Sequence, residues 1–229
     1  DIGGTHARLA LLAGGEITSA QTLTASDFKS FSAALDAYKA TCNVPDGASL
    51  AIATAAVPDE GGVWRFHNGN SWEIEPSALT RDGWPVSLIV NDFVASARGV
   101  VSQPKDQFIT LRSGNPLADR ASAVLGPGTG LGLAFAIKLA GGGWHVQPTH
   151  GGHMMAAALT TEQERIMALV RNITGMEIIV PEDMVSGRGL PGLYQAVCQS
   201  RGITPETFGP EELLENSQRD EVATCWRLF

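Results

Sequence analysis

The sequence predicts an α/β protein, and three observations point to this class. Residues 2–25 contain apolar clusters typical of strands, a helical pattern follows, and residues 50–57 (LAIATAAV) again read as a buried strand. Strand, helix and strand in this order favour an α/β layer architecture. Residues 86–90 (VSLIV) form a continuous apolar run, as expected for a central strand covered on both faces.

The elements of the first half follow from local spacing. A turn at residues 13–15 separates the first two strands, and Asp27 is expected to cap the following helix. That helix buries one face, formed by residues that recur at helical spacing: Phe28, Phe31, Leu35 and Tyr38. A further strand is expected at residues 63–66.

The second half begins with a connection that is expected to include one short strand, residues 108–111. We place a domain boundary before it, which gives domains 1–103 and 104–229. Glycines 141–143 separate two more strands. Thr161 and Glu164 fit a capping box that starts a helix, and residues 190–197 form another helical segment.

Composition excludes several functional classes. Apolar residues at 44% and charged residues at 17% describe an ordered globular chain of 229 residues with a net charge of −8. No basic cluster is present, so nucleic acid is not expected as a partner. Three cysteines without C-x-x-C spacing fit a reducing compartment. The sequence contains no run of about 18 apolar residues, so it predicts no membrane span. We therefore expect a cytoplasmic protein, and a fragment missing both ends, because it starts without Met and stops within a helical pattern.

Two glycine turns are candidate phosphate clamps. Gly128, Thr129 and Gly130 lie at the centre of GPGTGLG between two apolar runs, where bare amides and a hydroxyl could cradle an anion. The alternative is a plain tight hairpin. No Lys follows as in a P-loop, and the spacing is not G-x-G-x-x-G.

The other turn lies at the start of the chain and has a similar donor set. Asp1 could hold a metal ion, while Gly3, Gly4 and Thr5 offer amides and a hydroxyl to phosphate. Either turn alone is a weak signal, but two together are similar to the paired phosphate clamps of actin-like sugar kinases.

Other polar residues could participate in catalysis or binding. Asp92 follows a predicted strand beside Asn91, where it could accept a hydroxyl proton or simply cap a helix. His150 and His153 could form a zinc pair, but no Cys or acidic partner lies at ligand spacing, which favours hydrogen bonding to a polar ligand. By default, Glu182 belongs to a solvated helix start, and Asn68 and Asn70 are turn residues.

The motifs as a set resemble bacterial glucokinases of the hexokinase-actin superfamily over essentially the whole chain. They are DIGGTHARLALL, an Asn before Trp, NDF, LGPGTGLGLA, GGH and EDMVSGRGLPGLYQA. The resemblance implies an actin-like (ribonuclease H-like) two-domain sugar kinase fold with an incomplete second domain. It also implies transfer of phosphate from ATP to the 6-hydroxyl of glucose with Mg²⁺; a homodimer is compatible with it.

The resemblance also implies roles for particular residues. Asp92 would be the base that deprotonates the sugar hydroxyl. The sugar would be held by Asn91, Asn68, His153 and Glu182. The phosphates and magnesium would lie between residues 1–5 and residues 128–130, with Asp1 near the metal.

The chain departs from the family pattern in three places. His150 stands where the family has a sugar-binding Glu, and a neutral His can accept only one hydrogen bond. Assigning Asn68 requires a one-residue insertion before Trp72. The chain also stops before the adenosine-holding helices, so we expect it to be inactive alone. A kinase for another hexose and a catalytically idle sugar-binding or regulatory relative remain alternatives.

Overall fold

A computed structural model describes residues 1–66, 70–115, 117 and 120–228. By its internal contacts the chain divides into two compact units, Asp1–Gly114 and Asn115–Phe229. The predicted boundary after residue 103 stays a prediction, and each unit is described by itself.

The first unit contains short strands and three helices. Its strands are β1 (His6–Ala13), β2 (Glu16–Thr24), β3 (Leu50–Thr54), β4 (Val57–Pro58), β5 (Trp64–Arg65), β6 (Glu73–Ile74) and β7 (Val86–Asn91). Its helices are α1 (Phe31–Thr41), α2 (Pro76–Arg81) and α3 (Asp92–Ser102).

The sheet of the first unit combines a hairpin with a parallel pair. Strands β1 and β2 are antiparallel, and their turn uses Gly14 and Gly15 at φ 59° and 87°, which glycine adopts without strain. Strand β3 is parallel to β7. Ile2 joins the two pairs, because its N–H donates to the Ala53 carbonyl at 2.8 Å and it also bridges to Ala7. Three two-residue strands, β4 to β6, form a separate antiparallel sheet.

The core of the first unit lies around α1. Phe31 and Leu35 of this helix are almost fully buried, as the apolar spacing predicts, and the Phe31 ring packs 5.8 Å from that of Trp72. Burying each such side chain contributes about 1.5–3 kcal/mol. Ile52 of β3 and Ile74 of β6 belong to the same cluster, so helix and strands share one core.

The second unit is a three-stranded meander followed by helices. Its strands are β8 (Ser122–Pro127), β9 (Leu131–Lys138) and β10 (Trp144–Thr149). Its helices are α4 (Thr161–Thr174), α5 (Glu182–Val185), α6 (Leu190–Ser200), α7 (Pro210–Glu215) and α8 (Asp220–Leu228). The strands are antiparallel in the order β10-β9-β8, so both predicted glycine hairpins are confirmed.

Helix α6 is the centre of the second core. Leu193, Tyr194 and Val197 are fully buried on it, and it packs against α4 and α8. Val170 of α4 and Val222 of α8 complete the contact. No helix in the part of the chain that the structure describes is long and apolar enough to cross a membrane.

The predicted N-terminal caps of α1 and α4 were wrong. The N-cap of α1 is Ser30, whose hydroxyl accepts the Ala33 N–H at 3.2 Å, whereas Asp27 lies in a 3₁₀ turn. The capping box of α4 pairs Thr160 with Gln163, one residue earlier than predicted. In both cases the residue that caps is the one whose extended backbone turns its oxygen toward the free N–H groups of the first turn.

Two strand predictions also differ from the structure. Residues 108–111 form no strand, and Ile109 and Leu111 are almost fully exposed. Strand β7 is not covered on both faces, because Leu88 is 53% exposed. A run of apolar residues forms a buried strand only when the chain supplies partners for its backbone and its faces.

Candidate functional site

The first glycine turn lies at the entrance to β1. The Gly3 N–H donates to the His6 carbonyl at 2.9 Å and closes the turn. Among the residues that the structure describes, the amides of Gly4 and Thr5 have no partner. Two neighbouring free N–H groups in a turn can bind an anion, as the sequence predicted for this segment.

Asn70 holds this turn in place. Its side chain is buried, its Nδ2 donates to the Gly3 carbonyl at 3.1 Å, and its Oδ1 accepts the Trp72 N–H at 2.9 Å. The sequence interpretation of Asn70 as an ordinary turn residue missed this long-range contact. Asn68, the predicted sugar-binding residue, lies outside the described residues, so its role stays a prediction.

Asn91 and Asp92 lie where β7 ends and α3 begins. The Asn91 Oδ1 accepts the N–H groups of Phe93 at 3.0 Å and Val94 at 3.3 Å, so Asn91 is the N-cap and only its amide N–H₂ remains free to donate. The Asp92 Oδ1 accepts the Phe93 N–H at 2.7 Å. Its other oxygen has no partner in the described part of the chain. Asp92 is therefore not the cap, and one carboxylate oxygen remains available to accept a proton.

The second glycine turn joins β8 to β9. The Gly128 N–H donates to the Gly130 carbonyl at 2.8 Å, which closes the turn as Gly3 closes the first one. The amides of Thr129 and Gly130 have no partner among the described residues. In each turn, the N–H of one glycine (Gly3 or Gly128) closes the turn. The amides of the next two residues have no partner in the described part of the chain.

Glu182 lies directly behind this second turn. Its side chain is only 8% exposed, and its Oε2 accepts the Leu131 N–H at 2.8 Å. The Arg188 guanidinium donates to Oε1. A Cβ at Gly130 would come within 2.5 Å of Oε2, so only glycine leaves room for this carboxylate. Glu182 is a buried, paired acid, and the default interpretation as a solvated helix start was wrong.

The segment after Glu182 also contacts the turn through its backbone. The Gly187 N–H donates to the Gly128 carbonyl at 2.8 Å, and the Arg188 N–H donates to the Thr129 carbonyl at 3.3 Å. These bonds orient the turn carbonyls toward residues 187 and 188. The free amides of Thr129 and Gly130 thus belong to a segment that is held at several points.

His150 is the N-cap of a 3₁₀ turn, Gly151–His153, that follows β10, and His153 is the last residue of this turn. Their rings lie 6.4 Å apart, and the His153 Nε2 is 3.5 Å from the Glu182 Oε1. Both imidazoles are exposed and can reach a ligand. Among the described residues no group of three or more His, Cys, Asp or Glu side chains could hold a metal ion.

Within each unit the structure brings some of the predicted residues together. In the second unit, Glu182 lies against the glycine turn, His153 faces Glu182, and His150 lies beside His153. In the first unit, Asp1, Gly3, Gly4 and Thr5 form one turn, while Asn91 and Asp92 share one strand end. Asn70 and Arg188 were not predicted as site residues, because only contacts distant in sequence reveal their positions.

Two solved structures are similar to this chain in fold. The chain is similar to a glucokinase from an Antarctic psychrotroph, with a TM-score of 0.73 at 24% identity over 98% of this chain and 72% of that one. It is also similar to a glucokinase from Balamuthia mandrillaris in complex with glucose, with a TM-score of 0.76 at 24% identity over 99% of this chain and 71% of that one. The chain therefore shares the fold of these two structures.

Sequence relatives give the family. The family model described as Glucokinase matches residues 1–228. A glucokinase from Salmonella schwarzengrund (strain CVM19633) is 32% identical over 99% of this chain and 70% of its own length. A glucokinase from Yersinia enterocolitica serotype O:8 is 32% identical over 99% of this chain and 69% of its own length. The chain belongs to the glucokinase family, which confirms the resemblance found in its motifs.

Proposed function

We propose that this chain phosphorylates glucose at its 6-hydroxyl with ATP, giving glucose 6-phosphate and ADP. The observation that supports this most directly is the match of the glucokinase family model to residues 1–228. No observation supports an idle or regulatory relative better. The structure also contains side chains and backbone N–H groups whose chemistry fits this reaction.

Asp92 is the proposed general base. Its free carboxylate oxygen at the C-terminal end of β7 can accept the proton of the sugar hydroxyl as that oxygen attacks phosphorus. Ligands in α/β sheets bind at this edge. Beside it, the free amide N–H₂ of Asn91 would donate to a sugar oxygen and orient the sugar.

The two glycine turns are the proposed phosphate clamps. The free amides of Gly4 and Thr5 in one turn, and of Thr129 and Gly130 in the other, would donate to phosphate oxygens. Preorganised N–H groups stabilise the charge of a transferring phosphoryl group without reorganising during the reaction. Closure by Gly3 and Gly128 fixes the direction of these donors.

The donor set of the first turn fits a magnesium ion. Arg8 contacts only the Oδ2 of Asp1, at 2.8 Å, and the Thr5 hydroxyl lies in the same turn. Magnesium in kinases takes one or two carboxylates and completes its shell with water and phosphate oxygens, so a cluster of three protein ligands is not required. Asp1 would hold the ion, which when bound would neutralise charge on the phosphates.

His150, His153 and Glu182 are the proposed sugar residues of the second unit, and Asn68 that of the first. We further propose the actin-like (ribonuclease H-like) two-domain arrangement, with the base in one domain and the second clamp in the other. A cytoplasmic location and a homodimer remain predictions of the same interpretation.

The test is glucose-dependent release of ADP by the 229-residue chain. Turnover that requires glucose, ATP and Mg²⁺, with glucose 6-phosphate as the sugar product, would support the proposal and would contradict the expectation that the chain is inactive alone. ADP release that does not depend on glucose would contradict the proposal. A hexose panel belongs in the same experiment, because the exposed His150 favours a second candidate, a kinase for another hexose.

A further inference from the structure

We propose that Arg188 is a specificity-determining residue whose guanidinium donates to a hydroxyl of the bound hexose, with Glu182 as its buried counter-ion. This inference rests on the proposed function and assigns its sugar contact in the second unit. Four observations support it.

Arg188 lies beside a predicted sugar residue. Its Nη2 donates to the Oε1 of Glu182, and the Nε2 of His153 faces the same oxygen at 3.5 Å. The Oε1 atom of Glu182 thus accepts a hydrogen bond from Arg188 and also faces the ring of His153. A ligand that reaches His153 meets Arg188 as well.

The backbone of Arg188 is fixed. Its N–H donates to the Thr129 carbonyl at 3.3 Å, and the residues on either side are also held. The Gly187 N–H donates to the Gly128 carbonyl at 2.8 Å, and the Gly189 N–H donates to the Ser186 hydroxyl at 3.1 Å. The fixed backbone and the side-chain contact with Glu182 together restrain the guanidinium, which lowers the entropic cost of a hydrogen bond to a ligand.

Accessibility favours the arginine over the acid. The Arg188 side chain is 57% exposed, whereas that of Glu182 is 8% exposed. The guanidinium has five N–H donors, and the contact with Glu182 uses one nitrogen. Glu182 already accepts from Leu131 and Arg188, so a sugar oxygen meets a donor before it meets the carboxylate.

The neighbouring side chains give the surface the same character. Exposed His153 faces the Glu182 oxygen that Arg188 also contacts, and exposed His150 lies beside His153. Each of these three side chains can donate a hydrogen bond. These side chains are therefore donors, while the Glu182 carboxylate behind them is buried and paired. Such a surface selects a ligand by the oxygen atoms that it presents as acceptors.

Calorimetric titration of glucose tests this. We expect Arg188→Gln to weaken glucose binding about ten-fold or more, because it removes a hydrogen bond from a charged donor. Arg188→Lys should recover part of the loss, since it keeps the charge without the planar fork. Arg227→Gln is the matched control, because Arg227 is also exposed and ion-paired in the second unit, to Asp220 at 3.2 Å. The glucose affinity of Arg227→Gln should equal that of the wild type.

A series of deoxyglucoses separates a direct contact from a structural effect. If Arg188 donates to one hydroxyl, then wild type and Arg188→Gln should bind the sugar lacking that hydroxyl equally. They should differ for every other sugar of the series. A uniform loss across the series would mean that Arg188 only holds Glu182, and would overturn the proposal.

Two further outcomes have distinct meanings. Unchanged glucose affinity in Arg188→Gln, with a raised KM for ATP, would place Arg188 at the phosphates and overturn the sugar contact while leaving the kinase intact. A wild-type chain that binds no glucose would contradict the proposed function itself, and this inference with it.

Discussion

The carboxylate of Glu182 accepts a hydrogen bond at 2.8 Å from the backbone N–H of Leu131, 51 residues earlier in the chain. Leu131 is the first residue after the second glycine turn, so an acid from α5 sets the start of β9. The proposed sugar residue Glu182 and the proposed phosphate clamp of the second unit are therefore joined by one hydrogen bond.

The first prediction concerns the space at Gly130 that the contact between Glu182 and Leu131 requires. Gly130→Ala should lower the free energy of unfolding by about 1–3 kcal/mol, because the new methyl displaces Glu182 from Leu131 and leaves a half-buried donor and the buried carboxylate unpaired. Urea unfolding measures the change. Gly128→Ala is the matched control in the same turn, since a Cβ there meets no atom within 4 Å. Equal losses of unfolding free energy in the two variants would show that any substitution in this turn destabilises the chain, whether or not it displaces Glu182.

The second prediction concerns the proposed base. Asp92→Asn should lower kcat roughly 10²- to 10⁴-fold, because the amide keeps the size of the side chain but cannot take the proton. The KM for ATP should change little. Steady-state kinetics with Asp82→Asn as the control, an exposed Asp at the end of α2, would separate loss of the base from loss of charge. A less than about threefold loss in Asp92→Asn would exclude general-base catalysis by this residue.

The third prediction concerns His150, which replaces the Glu that the family resemblance implies. His150→Glu should tighten glucose binding about ten-fold, because a carboxylate can accept two hydroxyl hydrogen bonds and charge assistance strengthens them. His145→Glu, on an exposed position of β10, adds the same charge elsewhere in the unit. Unchanged or weaker glucose affinity in His150→Glu would indicate that the site is tuned to another sugar.

The sequence predicted those features that local spacing determines. Glycines between apolar runs specify hairpins, so the β1-β2, β8-β9 and β9-β10 turns were confirmed. The Asn91-Asp92 junction was also placed correctly at the end of a strand. Caps were missed by one to three residues, because Ser30 and Thr160 compete with neighbouring polar residues that are equally good caps by composition.

Features that depend on distant contacts were not predictable in this way. The burial of Glu182 requires the Leu131 N–H and Arg188, and the role of Asn70 requires the Gly3 carbonyl 67 residues away. Residues 108–111 have strand-like composition but no partner strand. Composition describes what a residue can bind, whereas only the fold decides whether its partner is present.

The last prediction concerns the second core. Burial, followed by the nearby Cys198, raises the pKa of the Cys225 thiol to about 12, compared with 9.0 for a free thiol. Between these values the unfolded chain loses this proton while the folded chain keeps it. The free energy of unfolding should therefore be unaffected by this thiol below about pH 9 and fall as pH rises toward 12, by at most about 1.4 kcal/mol per pH unit.

Urea unfolding of Cys225→Ala between pH 8 and about 10.5 checks this slope. The variant should be less stable than the wild type at pH 8, because it leaves a cavity against α6, but its stability should fall less steeply with pH. Cys42→Ala is the control, because Cys42 is only half-buried and lies in the first unit. Its slope should match that of the wild type. Parallel slopes for Cys225→Ala and the wild type would mean that the folded chain releases the Cys225 proton as readily as the unfolded one, and that burial in this core does not hold it.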